Sequence, residues 1–470
     1  MTYLLVVILG AVFARLAWKN LTKAVEILVL LLPLYLLRFN FIIPMTFLEV
    51  MILIVFAVWF IKNYRTLISQ VRSVLKGKVV KNNLQYPFKW AIIFWLIVSF
   101  IAVGTAGWSN AALGVWRAYF FEPLLLFIVI VNTHQTKDKI ICLLGSFSLS
   151  AIAVSVFAFY QYLTGNFIPN DFWASSTNRR ATSFFPFPNA VGLYLAPIIM
   201  LLMGNLGRLL SSGKKFLENK WLYLPTVLGI IFGLGAVIAA KSEGAIFALV
   251  IGFILFGLFG QKKLRLFTIG LVLVSGIAIS FFQPLRIYVE DRILLRNFSG
   301  QVRQAQWQET WQMLTDGKIV SGAGMANYQQ AILPYHQEGI FVKDYRDPDF
   351  QRKVVFNEEF RNSVWQPLEI YLYPHNIILN FWTELGIFGL AIFLWIIITF
   401  FYYAIRVFRH AKKSNIPDMY LVLGVTLSLV VILIHGMVDV PYFKNDLSVM
   451  FWIIMAMMGV MYKNLVPAKY

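Results

Sequence analysis

The chain reads as an all-α polytopic membrane protein of about 13 transmembrane helices (range 12–14), with one large extracytoplasmic loop containing short helices. Three observations predict that class. Hydrophobic residues make up 59% of the 470 and charged residues 13%, with mean hydropathy +0.71, outside the composition of soluble domains. Apolar runs of 17–25 residues recur along the whole length, each long enough to cross a hydrocarbon core of about 30 Å. The cations bunch in a few connectors: Lys62 to Lys89, Arg208 to Lys220, Lys262 to Arg265 and Arg406 to Lys413. Pairs of spans separate these clusters, so all fall on one side, as the positive-inside rule requires. The net charge of +19 is therefore a topology signal, helped by anionic lipid, and no nucleic-acid partner is expected. The lone Cys142 excludes an intrachain disulfide.

Taken in order, spans are expected at 2–17, 22–38, 43–62, 90–106, 114–132, 140–161, 188–206, 221–240, 244–260, 264–283, 376–402, 418–439 and 447–462. The first run resembles a signal peptide, but Arg15 interrupts it and no cleavage site follows, so it is read as a weak first span. The connector 63–89 places Leu67, Ile68, Val71, Val74 and Leu75 among basic residues, which predicts an amphipathic helix on the inner leaflet. Three regions result: 1–283 with ten spans and an outer arginine segment near 175–189, a polar outer loop 284–375, and 376–470 with three spans and a short cytoplasmic tail.

The polar chemistry gathers on the outer side. Arg179 and Arg180 run against the charge bias there and precede a helix starting near Pro188. Arginine forks bind phosphate oxygens bidentately, although headgroup anchoring would use the same residues. In the loop, Arg303, Trp307, Trp311 and Leu314 share one face of an expected helix lying over the membrane surface. Gly322-Ala323-Gly324 marks a turn, and 335–370 reads as a lid or substrate platform. Asp347-Pro348-Asp349 superficially matches an Asp-x-Asp metal motif, but proline suits a surface turn, and no two histidines have metal-ligand spacing. No metal and no cofactor is expected.

The loop enters its next span at Tyr373-Pro374-His375-Asn376. Pro374 suits the first helical position, which puts His375 in the first turn, where the helix dipole disfavours imidazolium. A neutral imidazole there either accepts a proton or merely caps the helix. Gly386 and Gly389 share its face and predict close helix packing. Glu384 falls nearly opposite, roughly 13 Å deeper at 1.5 Å per residue, too far for contact. Glu26, Glu49, Arg117, Glu122, Glu384 and Asp439 fall within spans, where charge is costly unless paired. Arg117 and Glu122 are spaced to pair with each other or with neighbours.

His375-Asn376, followed after nine residues by Gly386 and then Gly389, resembles the signature of the O-antigen ligase and polymerase family of membrane glycosyltransferases. Arg180 to Asn189, the Gly322-Ala323-Gly324 turn and His435-Gly436-Met437-Val438-Asp439 resemble further segments of that family, in the same order, over roughly 160–460. The resemblance implies transfer of a glycan from an undecaprenyl diphosphate carrier to an acceptor hydroxyl, at the extracytoplasmic face of a bacterial cytoplasmic membrane, without metal or nucleotide. The acceptor would be a growing glycan, a lipid core or a protein side chain. By match, His375 would be the base, and Arg180 and Arg303 would hold the diphosphate; Arg179, Lys241, Asn376 and Asp439 are further candidate substrate-binding residues. One departure stands out: where the family shows Ser-Arg-Gly, this chain has Ser242-Glu243-Gly244, so either Lys241, two positions before the acid, supplies the charge or that contact is absent. A transporter or flippase of lipid-linked glycan is the rival reading, and would need an internal repeat and a polar path through the spans; neither is evident.

Overall fold

The computed structural model describes residues 2–41, 43–75, 86–213, 219–414 and 416–466. The protein is nearly all helical, as expected where no water is present to satisfy backbone groups. Among the described residues nine helices are long and apolar enough to cross a membrane. Two further apolar helices, Lys89–Thr105 and Glu243–Phe259, are shorter. The expected thirteen spans are therefore not all matched by helices of full spanning length. One reason is visible near the start: Pro33 ends the Leu21–Leu30 helix, and a 3-10 turn, Leu32–Leu36, leads into a two-stranded antiparallel hairpin of Arg38–Asn40 and Pro44–Thr46. The stretch 63–75 continues the Phe47–Leu75 helix rather than forming a separate surface helix. The rest of that amphipathic expectation lies partly on residues outside those described.

The helices Pro188–Ser211, Ile416–His435 and Asn445–Leu465 form the centre of the bundle and are buried along most of their length. The first two cross where Gly204 meets Gly424. A Cβ on Gly204 would come within 2.5 Å of the Gly424 Cα, so no other residue allows this approach. A cluster of Trp95, Phe120, Phe381, Tyr442 and Phe443, with ring centroids 4.9–6.0 Å apart, fills one end of the core. Lys262–Phe281 lies at the opposite extreme. It is apolar and exposed on nearly every side, as suits a helix whose solvent is lipid. Two of the span acids share one arginine: Arg117 lies 3.2 Å from Glu49 and 3.3 Å from Glu122.

The polar segment 284–375 is fastened to one end of this bundle rather than forming a domain of its own. Helix Phe298–Met313 carries the face predicted from Arg303, Trp307 and Trp311. That face makes contacts within the protein: Trp307 Nε1 donates to Pro374 O at 2.9 Å, and the Trp311 ring packs on Trp382 at 5.7 Å. The glycine turn docks into a break in the long Ile377–Ser414 helix. Gly386 there has φ 70 and ψ −176, a region open only to glycine. Val320 O accepts from Ile387 N–H, and Thr383 O accepts from Ala323 N–H. Glu384, buried, accepts the Ala326 N–H at 2.6 Å. Gly386 is therefore not the flat packing surface its spacing suggests, but the point at which the helical ladder opens to receive the loop. A hairpin of Gly339–Phe341 and Trp365–Pro367 closes the outermost part. Asp347 accepts from Lys353 Nζ at 2.8 Å and from Asp349 N–H at 3.1 Å, the bonding of a surface turn.

Candidate active site

Asn376, not Pro374, starts the helix on which the histidine hangs. Its Oδ1 accepts from Ile378 N–H at 3.0 Å and Leu379 N–H at 3.1 Å, and the helix begins at Ile377. A side-chain oxygen that satisfies two orphan donors is a strong cap. His375 therefore precedes the helix, with φ 45, and the expectation of a first-turn histidine with Pro374 at the first helical position is corrected. Its neutrality has a different cause from the dipole. Burial pushes the imidazole below its usual 6.5, Asp439 opposes that shift and Arg303 adds to it. Nδ1 lies 3.1 Å from Gln306 Oε1. An amide oxygen can only accept, so Nδ1 carries the proton and Nε2 keeps its lone pair. Tyr371 and Tyr373 stand edge-on to the ring at 5.0 and 5.5 Å, limiting its rotation.

The left-handed backbone at His375 is held by its neighbours. Three successive carbonyls of the turn after His435 accept in order: Gly436 O from Ile377 N–H at 2.7 Å, Met437 O from Asn376 Nδ2 at 3.1 Å, and Val438 O from Arg303 Nε at 2.7 Å. One turn thus positions the histidine's neighbour, the helix start and an arginine. Asp439, buried, continues the network, accepting from Asn189 Nδ2 at 3.4 Å. Asn189 Oδ1 in turn accepts from Arg180 Nη2 at 3.0 Å, while the same guanidinium donates to Ala240 O and Lys241 O. Gly244 must be glycine because a Cβ there would lie 2.7 Å from the His435 ring.

These bonds bring His375, Asn376, Asp439, Arg180, Arg303 and Lys241 to one end of the bundle. Arg179 is not among them. It donates to Ala174 O and to Tyr162 O and Leu163 O at 3.2 Å, closing the last turn of the Lys137–Thr164 helix.

A cavity of about 590 Å³ opens between the starts of Pro188–Ser211 and Glu243–Phe259, the end of Ile416–His435 and the loop helices. Arg180, Lys241, Arg292 and Arg303 line it, against a single carboxylate, Glu243. Phe247, Ile251 and Ile434 form its apolar part. Within the protein, Arg180 donates through Nε and Nη2 and Arg303 through Nε and Nη1. Burial lowers the Arg180 pKa, with Glu243 opposing and Arg303 contributing, so an anion entering the cavity would relieve a real imbalance of charge. The cavity can hold a ligand with an anionic head and an apolar body.

Two participants escaped sequence reasoning. Gln306 lies three residues after Arg303, on the same helical face, and that spacing was the available signal. The Arg292–Glu243 ion pair joins residues 49 apart and had none.

No curated protein matches the chain. Residues 228–394 match the family model described as O-antigen ligase. The matched stretch contains Lys241, Arg303, the glycine turn, His375, Asn376 and the break at Gly386. Over that stretch the chain is similar to O-antigen ligases, and its apolar helices are those of an integral membrane protein.

Proposed function

We propose that this protein moves a glycan from an undecaprenyl diphosphate-type carrier to an acceptor hydroxyl on the extracytoplasmic face of the bacterial cytoplasmic membrane. The observation that carries the reading is the shared use of Arg303. It lines a cavity with four basic groups, and it also helps depress the pKa of His375. Leaving-group binding and proton removal are thereby coupled through one side chain.

In this reading the carrier's diphosphate sits against Arg180, Lys241 and Arg303, with its isoprenoid chain along Phe247, Ile251 and Ile434. His375 Nε2 takes the proton of the acceptor hydroxyl as that oxygen attacks the anomeric carbon. The new carbon–oxygen bond forms, the bond to the phosphate oxygen breaks, and the lipid diphosphate leaves with both electrons. Fixed guanidinium groups need no reorganisation to meet that charge. Gln306, by holding the proton on Nδ1, keeps Nε2 available as base.

The direct experiment is glycan transfer by purified protein from a lipid-diphosphate-linked donor, offered glycan, lipid-core and peptide acceptors in parallel. Transfer to any one of them supports the reading. Movement of intact donor across a vesicle membrane without transfer would replace it with the flippase. The sidedness has its own measurement. A cysteine at Gly339 should react with a membrane-impermeant thiol reagent in intact cells, while one at Lys412 should react only after lysis. The reverse pattern would invert the topology.

A further inference from the structure

The cavity's fourth cation, Arg292, has a resting partner, and that partner also lines the cavity. Arg292 Nη1 pairs with Glu243 Oε1, and Asn297 Nδ2 reaches Glu243 Oε2 at 3.5 Å. We propose that Arg292 is a phosphate-binding residue held in reserve by Glu243, which releases it when the diphosphate enters. The proposal rests on the diphosphate reading of the cavity above.

Three features support it. The pair is not sealed in the protein: its side chains are 36% and 49% exposed, so water screens it and little holds it shut. A diphosphate offers several oxygens and more than one negative charge, and bidentate contact with a guanidinium outcompetes one screened carboxylate. Arg292 is also pre-positioned, with its guanidinium over the Tyr288 ring at 5.0 Å, so release from Glu243 does not set the side chain adrift.

The location suits a device that answers to the lipid. Arg292 lies in the last turn of Gln283–Ile293, the first helix after the lipid-exposed span Lys262–Phe281. Asn297 caps the helix that carries Arg303. Glu243 begins its own apolar helix. One carboxylate thus ties together three elements of the cavity wall, and an arriving anion both repels it and recruits its partner. Lys241 is exposed and its carbonyl accepts from Arg180 Nη2, so the cation in direct contact with Glu243 is Arg292.

The two residues should act with opposite sign. Undecaprenyl diphosphate, without glycan, is titrated into detergent-solubilised protein by calorimetry, with undecaprenyl monophosphate as the second probe. Arg292→Ala should weaken diphosphate binding about 10–100-fold, the equivalent of losing a hydrogen bond to a charged group. Glu243→Gln, which keeps a polar side chain but removes the competing charge, should tighten it about 3–10-fold. Both effects should shrink with the monophosphate. Thermal unfolding of each variant reports whether it is folded, and Arg292→Lys should retain part of the affinity.

Weakening by both substitutions alike, or an unchanged affinity in Arg292→Ala, would overturn the proposal in favour of a purely structural clasp. The diphosphate reading itself is judged separately, by binding to wild type and its loss in Arg180→Ala. If wild type does not bind the probe, both ideas fall. If Arg180→Ala weakens binding while Glu243→Gln does not tighten it, only the reserve role of Arg292 is lost.

Discussion

Replacing His375 by alanine should reduce single-turnover glycan transfer by about 10²–10⁴, the usual contribution of a general base, while leaving donor affinity nearly intact. His375→Asn should fail equally, since an amide keeps the polarity but cannot take a proton near neutral pH. Folding is not at stake in either variant, because the helix start is capped by Asn376 and not by the histidine. The pH profile gives the sign. The reactive form is the neutral imidazole, and burial together with Arg303 places its pKa below 6.5. Activity should therefore be level at neutral pH and fall on acidification, with a midpoint under that value. Removing Arg303 takes away a charge that lowers the pKa, so in Arg303→Ala the acid limb should move upward. Near wild-type transfer by either His375 variant would reduce the residue to a helix-entry position and send the search for a base to His336 or Asp439.

Arg180→Ala and Arg303→Ala should each weaken lipid-diphosphate binding about 10–100-fold, the range for hydrogen bonds to a charged group. Lysine should restore only part of this, because a point charge cannot reproduce the fork. The two arginines also have distinct secondary effects. Arg180 is bonded to Ala240 O, Lys241 O and Asn189, so its loss loosens the turn before the Glu243–Phe259 helix. Arg303 is bonded to Val438 O, so its loss frees the turn that also receives Asn376. Calorimetric titration with donor lipid measures the first effect, and the acid limb of the rate profile separates the second. Unchanged donor affinity in both alanine variants would assign these arginines to membrane headgroups. Arg179→Ala should leave affinity unchanged, because that guanidinium is spent on the end of the Lys137–Thr164 helix.

The membrane class and most helix positions were legible in the sequence because apolar run length and charge asymmetry act segment by segment, with little dependence on tertiary contacts. The helix starting at Pro188 is a case where the local signal sufficed, since proline fits the first turn whatever surrounds it. At His375 the same local rule misled. Pro374 also looked like a helix start, but the carboxamide of Asn376 and the carbonyls of Gly436 and Met437, 59 and 61 residues from the groups that donate to them, decide where the helix begins. The spacing of Gly386 and Gly389 predicted a smooth face for the same reason: periodicity assumes an unbroken helix, and only the docked loop reveals the break. The candidate site could be drawn up from the sequence as a set of residue types in order. Which of them share hydrogen bonds was not legible there, because Arg179 and Arg180 are adjacent in the chain yet serve opposite ends of a loop.

The broken helix at Gly386 has a bearing on how such a protein can change its specificity. The loop is spliced into the bundle at Val320 to Ala326 and pinned again through Trp307 and Arg303. Between and beyond these fixings, 335–370 carries mostly exposed residues and one short hairpin. Substitutions at its exposed positions leave the splice in place, and the turn after His435 still holds Asn376 and Arg303; Gln337 and Lys343 are the points at which this stretch is tied to the helix that carries Arg303. On the proposed glycan-transfer reading, such a plan keeps the bonds around His375 and Arg303 apart from the exposed residues that would meet an acceptor.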